Sequence, residues 1–210
     1  MKLYADPITV NCRKVLAGFD LLGTQYELVK VDYFQGEQKS PEYLAINPNA
    51  SIPALVDGDL QLWESNAILQ YAADKSSLES AYPKDLKQRA DVNRWLLWEA
   101  NQWFPAAYIY LVENVVKPLL KAQPDRSVTD AAKPNFDKLA GILEQRLEKQ
   151  PWLCGQSVTI ADIAVAAPMH LHSYQKLPLD PYPSIRRWYG QMEALPCWKK
   201  TDVAPLLGLS

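Results

Sequence analysis

The stretch Ser51-Ile52-Pro53-Ala54-Leu55-Val56-Asp57-Gly58-Asp59, followed by Leu62-Trp63-Glu64-Ser65-Asn66-Ala67-Ile68, decides the fold of this chain. Proline has no backbone N–H, so Pro53 can open the apolar run Ala54-Leu55-Val56 only at its first residue or at a sheet edge, and an Ile-Pro bond there is compatible with a cis turn. The N–H and C=O of Ile52 are then left for another chain. Asp57-Gly58 reads as a hairpin turn into a strand from Gln61 to Glu64, and Ser65 begins the helical pattern Ile68, Leu69, Ala72. An acid and a hydroxyl at a helix start, after a Pro turn, make a ledge suited to an extended peptide with an anionic end. The same two residues are also compatible with a plain cap, Ser65 on the helix and Glu64 on its dipole.

Upstream, strand and helix alternate. Lys2 to Ala5 is a short strand, and Val15, Phe19 and Leu22 mark one face of a helix ending at Gly23. Glu27 to Asp32 is a second strand, and Glu42-Tyr43-Leu44 a short helical piece. The order is β-α-β-(α)-β-β-α, a mixed sheet with helices on its faces. Strand signals then stop. The polar link Tyr82-Pro83-Lys84-Asp85 leads into long helical patterns punctuated by prolines, Pro118, Pro124 and Pro134 among them. Phe136, Leu139, Leu143 and Leu147 form one apolar stripe; Ile185, Trp188 and Met192 form another. Residues 1–76 are thus expected as an α/β domain, 77–86 as a linker and 87–210 as an all-helical domain. Thr159-Ile160-Ala161-Asp162 carries a hydroxyl at a cap position and a carboxylate three residues on, a helix start worth about 1 to 2 kcal/mol at either residue.

Composition narrows the partners. Of 210 residues 48% are hydrophobic, and 22 Lys plus Arg against 24 Asp plus Glu leave a net charge of −2. No like-charge run marks a nucleic-acid or membrane surface. No window has the length of a membrane-spanning helix, and Met1 to Asp6 lacks a signal-peptide core, so the expected address is cytoplasmic. Cys12, Cys154 and Cys197 have no metal-ligand spacing and read as reduced thiols; His170 and His172, without an acidic neighbour, read as structural. No metal and no cofactor are expected.

Together these motifs resemble the glutathione S-transferase superfamily over nearly the whole chain. The resemblance implies a thioredoxin-like βαβαββα domain followed by a helical bundle. It implies that glutathione is a co-substrate, with Ile52 and Pro53 meeting its cysteinyl peptide and Glu64 and Ser65 its γ-glutamyl end. It also implies a homodimer. Thr9-Val10-Asn11-Cys12-Arg13-Lys14, at the first helix start, is similar to the Thr-x-Asn signature of bacterial nu-type members, in which both residues serve the thiol. Thr9 also stands four residues before Arg13, the register of the family's Ser-type members. Such an enzyme must favour the thiolate, and a hydroxyl, an amide and a helix N-terminus can each contribute. Thr9 as a turn hydroxyl and Asn11 as an N-cap are the ordinary alternatives. Gln38-Lys39 falls where related members hold the glycyl carboxylate, Gln38 being a departure from their pattern. Tyr4 lies inside a strand and reads as packing.

The helix from Asn93 to Val116 carries more aromatics than one stripe needs. Trp103, Phe104 and Tyr108, around an expected kink at Pro105, are the candidates for an apolar electrophile site between the domains, with core or dimer packing as the alternative. The implied activity is conjugation of glutathione to small apolar electrophiles. A glutathione-dependent disulfide or peroxide reductase and a non-catalytic superfamily member are the rival readings. None of them gives a cysteine of this chain a nucleophilic role, since Thr9 stands where a Cys-x-x-Cys motif would have its first sulfur.

Overall fold

The computed structural model describes residues 1–209. They form two compact units, Met1–Tyr82 with the segment from Pro196 onward, and Pro83–Leu195. In the first, β1 (Lys2–Ala5) leads to α1 (Val10–Leu22), then β2 (Glu27–Lys30), α2 (Pro41–Leu44), β3 (Ala54–Asp57), β4 (Leu60–Trp63) and α3 (Ser65–Lys75). The sheet order is β2-β1-β3-β4, with β1 parallel to β2 and antiparallel to β3, and β3 antiparallel to β4. This is the mixed thioredoxin-like sheet that the Pro turn and hairpin predict.

Glycine serves two of its turns. Gly23 ends α1 at φ 67 and Gly58 turns the hairpin at φ 63, left-handed conformations that cost a side chain about 1 to 2 kcal/mol. Ser40 caps α2, its Oγ accepting from the Tyr43 amide at 3.2 Å.

The end of the chain departs from the expected boundaries. Instead of closing the helical domain, α11 (Pro196–Lys200) and the residues after it belong to the first unit. The reason is Arg13, only 2% exposed on α1. Its guanidinium donates to the carbonyls of Thr201 (2.7 Å) and Trp198 (3.1 Å) and lies 3.9 Å from the Trp198 ring centre. A buried cation needs such partners.

The second unit is helical: α4 (Leu86–Trp98), α5 (Phe104–Leu111), α6 (Lys117–Leu119), α7 (Arg126–Leu147), α8 (Ile160–Ala166), α9 (His172–Gln175) and α10 (Pro183–Ala194). Just before Pro105, where a kink is expected, α4 runs into α5 through the wide π turn Glu99–Trp103, and α5 runs into α6 through a second, Val112–Val116. Each π turn ends two residues before a proline, Pro105 or Pro118. The wider turn makes room where the proline ring would meet the carbonyl four residues back and where its missing N–H breaks the ladder. Pro134 does not end α7 either, because Phe136, Leu139, Leu143 and Leu147 are buried along one face and hold it.

At the start of α8 the Thr159–Asp162 pair forms, with more partners than a cap has. Asp162 is fully buried; one carboxylate oxygen accepts from the Leu153 amide (2.8 Å) and the Trp188 indole (2.9 Å), the other from the Thr159 amide and hydroxyl (both 2.8 Å). The carboxylate ties α8 to α10 and to the loop before it. Burial pushes its carboxyl above the ordinary range, and the four donors oppose that shift. Asp162→Ala strands buried donors, so it is expected to cost about 3 kcal/mol or more, against about 1 to 2 for Thr159→Ala. Denaturant unfolding of both variants checks the ranking; equal losses would reduce Asp162 to a cap.

Candidate active site

Thr9 is the N-cap residue of α1, and its side chain caps nothing: its amide and Oγ1 both donate to the Asp6 carbonyl, at 3.1 and 3.0 Å. The turn-hydroxyl alternative is therefore how Thr9 sits here. Asn11 lies in the first turn of α1, inside the helix and not at its cap. The leading amides of that turn have no intrahelical acceptor and carry the positive end of the helix dipole.

The N-terminus of α3 meets this point. Glu64, its N-cap residue, is exposed with φ 71 and ψ 111, outside the regions a non-glycine residue ordinarily adopts. Ser65 is the first helical residue and is buried. Its Oγ accepts from the Lys14 Nζ at 3.1 Å and donates to the Asn11 Oδ1 at 3.3 Å, and Lys14 also reaches the Asn66 Oδ1 at 3.2 Å. Ser65 thus does not make the side-chain cap bond of the plain alternative.

The Ile52–Pro53 peptide bond is cis. Among the described residues, no hydrogen bond uses the Ile52 amide or carbonyl. The turn before it is pinned by two residues that local sequence patterns do not single out. The Ser51 carbonyl accepts from the Tyr43 hydroxyl at 2.6 Å and from the Nδ2 of fully buried Asn47 at 2.7 Å. Burial pushes the Tyr43 hydroxyl above its usual range, so it remains a donor. Nearby in sequence, Lys39 is exposed on a 3-10 turn, whereas Gln38 is buried with its Oε1 unpartnered among the described residues. No hydrogen bond among the described residues joins either to the Ser65 cluster.

Of the three aromatic candidates, Trp103 is corrected. It is 0% exposed, its indole donates to the Val165 carbonyl at 3.0 Å, and it stacks on Trp98 and tilts against Phe136. Helical packing leaves it no surface for a ligand. Phe104 and Tyr108, one turn apart on α5, stack on each other at 5.1 Å, and Tyr108 is 38% exposed. Tyr4 packs edge-on against Tyr43 inside the sheet.

Cys12 and Cys197 are buried and Cys154 is half-buried. Burial pushes Cys12 and Cys154 each up to about 12 and raises Cys197 as well. Because folded Cys12 keeps its proton to about 12 while a free thiol ionises near 8.5, the folded state binds more protons in between. Its contribution to stability is complete below about 8.5 and is lost as pH rises through that window. At about pH 8 it is held as the neutral thiol. A disulfide reagent is accordingly expected to label Cys12 only on unfolding, and Cys12→Ala to keep activity per folded molecule. Rapid labelling of native protein at Cys12 would contradict this.

A four-stranded thioredoxin-like sheet with its helices, followed by an all-helical unit, is the two-domain architecture of the glutathione transferase class. The N-terminal domain family of glutathione S-transferases matches residues 1–74 and the C-terminal domain family residues 107–196. A probable glutathione S-transferase of Oryza sativa subsp. japonica is 36% identical over 95% of this chain and 94% of its own. Glutathione S-transferase 1 of Zea mays is 33% identical over the same shares. The solved structure of glutathione S-transferase I from mais, in complex with an atrazine glutathione conjugate, superposes with a TM-score of 0.87 at 32% identity, over 100% of this chain and 98% of that one. The chain belongs to the glutathione S-transferase family. These relatives are plant proteins, not the bacterial type that the Thr9–Asn11 pair resembles. Among the described residues no helix is long and apolar enough to cross a membrane.

Proposed function

We propose that this glutathione transferase takes glutathione as co-substrate and stabilises its thiolate with Thr9 and Asn11, while the free Ile52 backbone beside Pro53, with Glu64 and Ser65, receives the rest of the tripeptide. The observation that carries this reading is the 3.3 Å bond between Ser65 Oγ and Asn11 Oδ1, which joins the N-termini of α1 and α3. Two helix N-termini at one point favour a ligand with a negative charge at each of two groups, a carboxylate and a thiolate. Holding a thiol near 8.5 ionised at neutral pH needs about two units, or ~2.7 kcal/mol, within reach of two donors worth about 1.5 to 3 kcal/mol each. Thr9 makes its contribution by turning its hydroxyl from the Asp6 carbonyl to the sulfur.

The maize relative with its atrazine glutathione conjugate supports a small apolar electrophile as second substrate. The stack of half-buried Phe104 on exposed Tyr108 is its proposed seat, without Trp103. Lys39 is the proposed holder of the glycyl carboxylate, and buried Gln38 a support beneath it. Family membership supports a homodimer acting in the cytoplasm.

Thr9→Ala and Asn11→Ala should each raise the apparent pKa of enzyme-bound glutathione by about one to two units, with less than additive effect together. Following thiolate absorbance against pH reads this directly. A Thr9→Ala titration that overlays the parent curve would leave Asn11 and the helix as the activating groups. Tyr108→Ala should raise KM for an apolar electrophile without moving that titration.

A further inference from the structure

We propose that Lys14 is a positioning residue that sets the direction of a hydrogen-bond relay, Lys14 to Ser65 to Asn11, and so decides which end of the Asn11 amide is offered to the thiolate. This rests on the reading of Asn11 as a thiolate donor.

Lys14 stands three residues after Asn11 on α1, on the same face, and is 2% exposed. An ammonium only donates. Its bond to Ser65 therefore occupies one of the two lone pairs of that hydroxyl, whose proton goes to Asn11 Oδ1; the reverse pairing, with Asn11 donating, would put two donors on the one oxygen. A second proton of the same ammonium is spent on Asn66 Oδ1, so the α3 start is held at two consecutive residues. With Oδ1 occupied, the NH₂ of Asn11 is the group left to face a ligand, and it is a donor. An Asn amide is otherwise symmetric enough to turn over, and a Ser hydroxyl donates or accepts with equal ease. Without the lysine the pair can reverse, Asn11 donating to Ser65 and presenting its carbonyl oxygen to the sulfur. That arrangement repels a thiolate. The buried cation thus biases the orientation at the reacting end while holding the start of α3 in place.

The experiment is the pH titration of thiolate absorbance of glutathione bound to the full-length protein and to Lys14→Met, Lys14→Arg, Ser65→Ala and Asn11→Ala. Met fills the lysine's volume without a donor; Arg restores donors. The relay predicts that Lys14→Met and Ser65→Ala each raise the bound-thiol pKa by about one unit, that Lys14→Arg brings it back toward the parent value, and that Ser65→Ala adds nothing in an Asn11→Ala background. A purely structural lysine would lower the melting temperature and leave the titration of the folded fraction unmoved. Should Lys14→Met fail to fold, Ser65→Ala decides alone. If Asn11→Ala shifts the titration and neither Lys14→Met nor Ser65→Ala does, the relay is wrong and Asn11 keeps its role. If Asn11→Ala itself produces no shift, the thiolate-donor reading fails and the relay with it.

Discussion

Two cations side by side on α1, Arg13 and Lys14, are both almost fully buried, and a charge taken out of water must be compensated by hydrogen bonds. Much of the first unit is arranged around that requirement. Arg13 faces the carbonyls that end α11 and the ring of Trp198, so it recruits the last part of the chain. Lys14 faces the start of α3, so it fixes where the second helix N-terminus lies against the first. Between them the two cations hold the end of the chain and the start of α3 against α1. The candidate site lies within this arrangement: Asn11 and Ser65 meet beside the lysine one turn further along α1.

One of the positive-φ non-glycine residues, Glu64, lies at this junction. Glu64 adopts a positive φ immediately before α3, where a glycine would be relaxed. A hydrogen-bonded serine at the first helical position and a buried Ile68 one turn on leave the backbone little freedom to relieve it. The ledge on the other side also contains a left-handed non-glycine residue, Ala50 at φ 52, and is held by Asn47 and Tyr43 on the Ser51 carbonyl. The loop that ends in Ile52 is thereby kept rigid with its own polar groups unspent.

The parts of this fold that are periodic or punctuated are legible in the sequence. Val15, Phe19 and Leu22 mark α1, Gly23 its end, Asp57-Gly58 the hairpin, and Phe136 to Leu147 the face of α7. Thr9, Asn11 and Ser65 stand out as candidates because hydroxyl and amide groups at helix starts have few roles. The features that stay hidden depend on long-range burial. The burial of Arg13 and Lys14 is one of these, since nothing local says that a helix carrying them is covered on nearly every side. Trp103 resembles a ligand-facing aromatic because a helix with a π turn changes which side chains share a face, and the spacing of prolines does not reveal the wide turn before each of them. Pro134 reads as an interruption, and burial of the stripe beside it overrides that local preference. Continuity alone assigns the tail to the helical domain, although its partner lies some 185 residues upstream.

That return of the tail has a topological meaning. The helical unit, Pro83–Leu195, is spliced into the first unit in the manner of an inserted domain, with host sequence on either side. A fragment ending at Tyr82 would include every strand and the whole Thr9–Asn11–Ser65 constellation, yet it would leave the Arg13 guanidinium without Trp198 and Thr201. The thioredoxin-like unit is therefore not a module that can be cut out by a single break in the chain. A minimal version of it would have to carry its distal strip along, joined directly to residue 82 or supplied as a separate peptide.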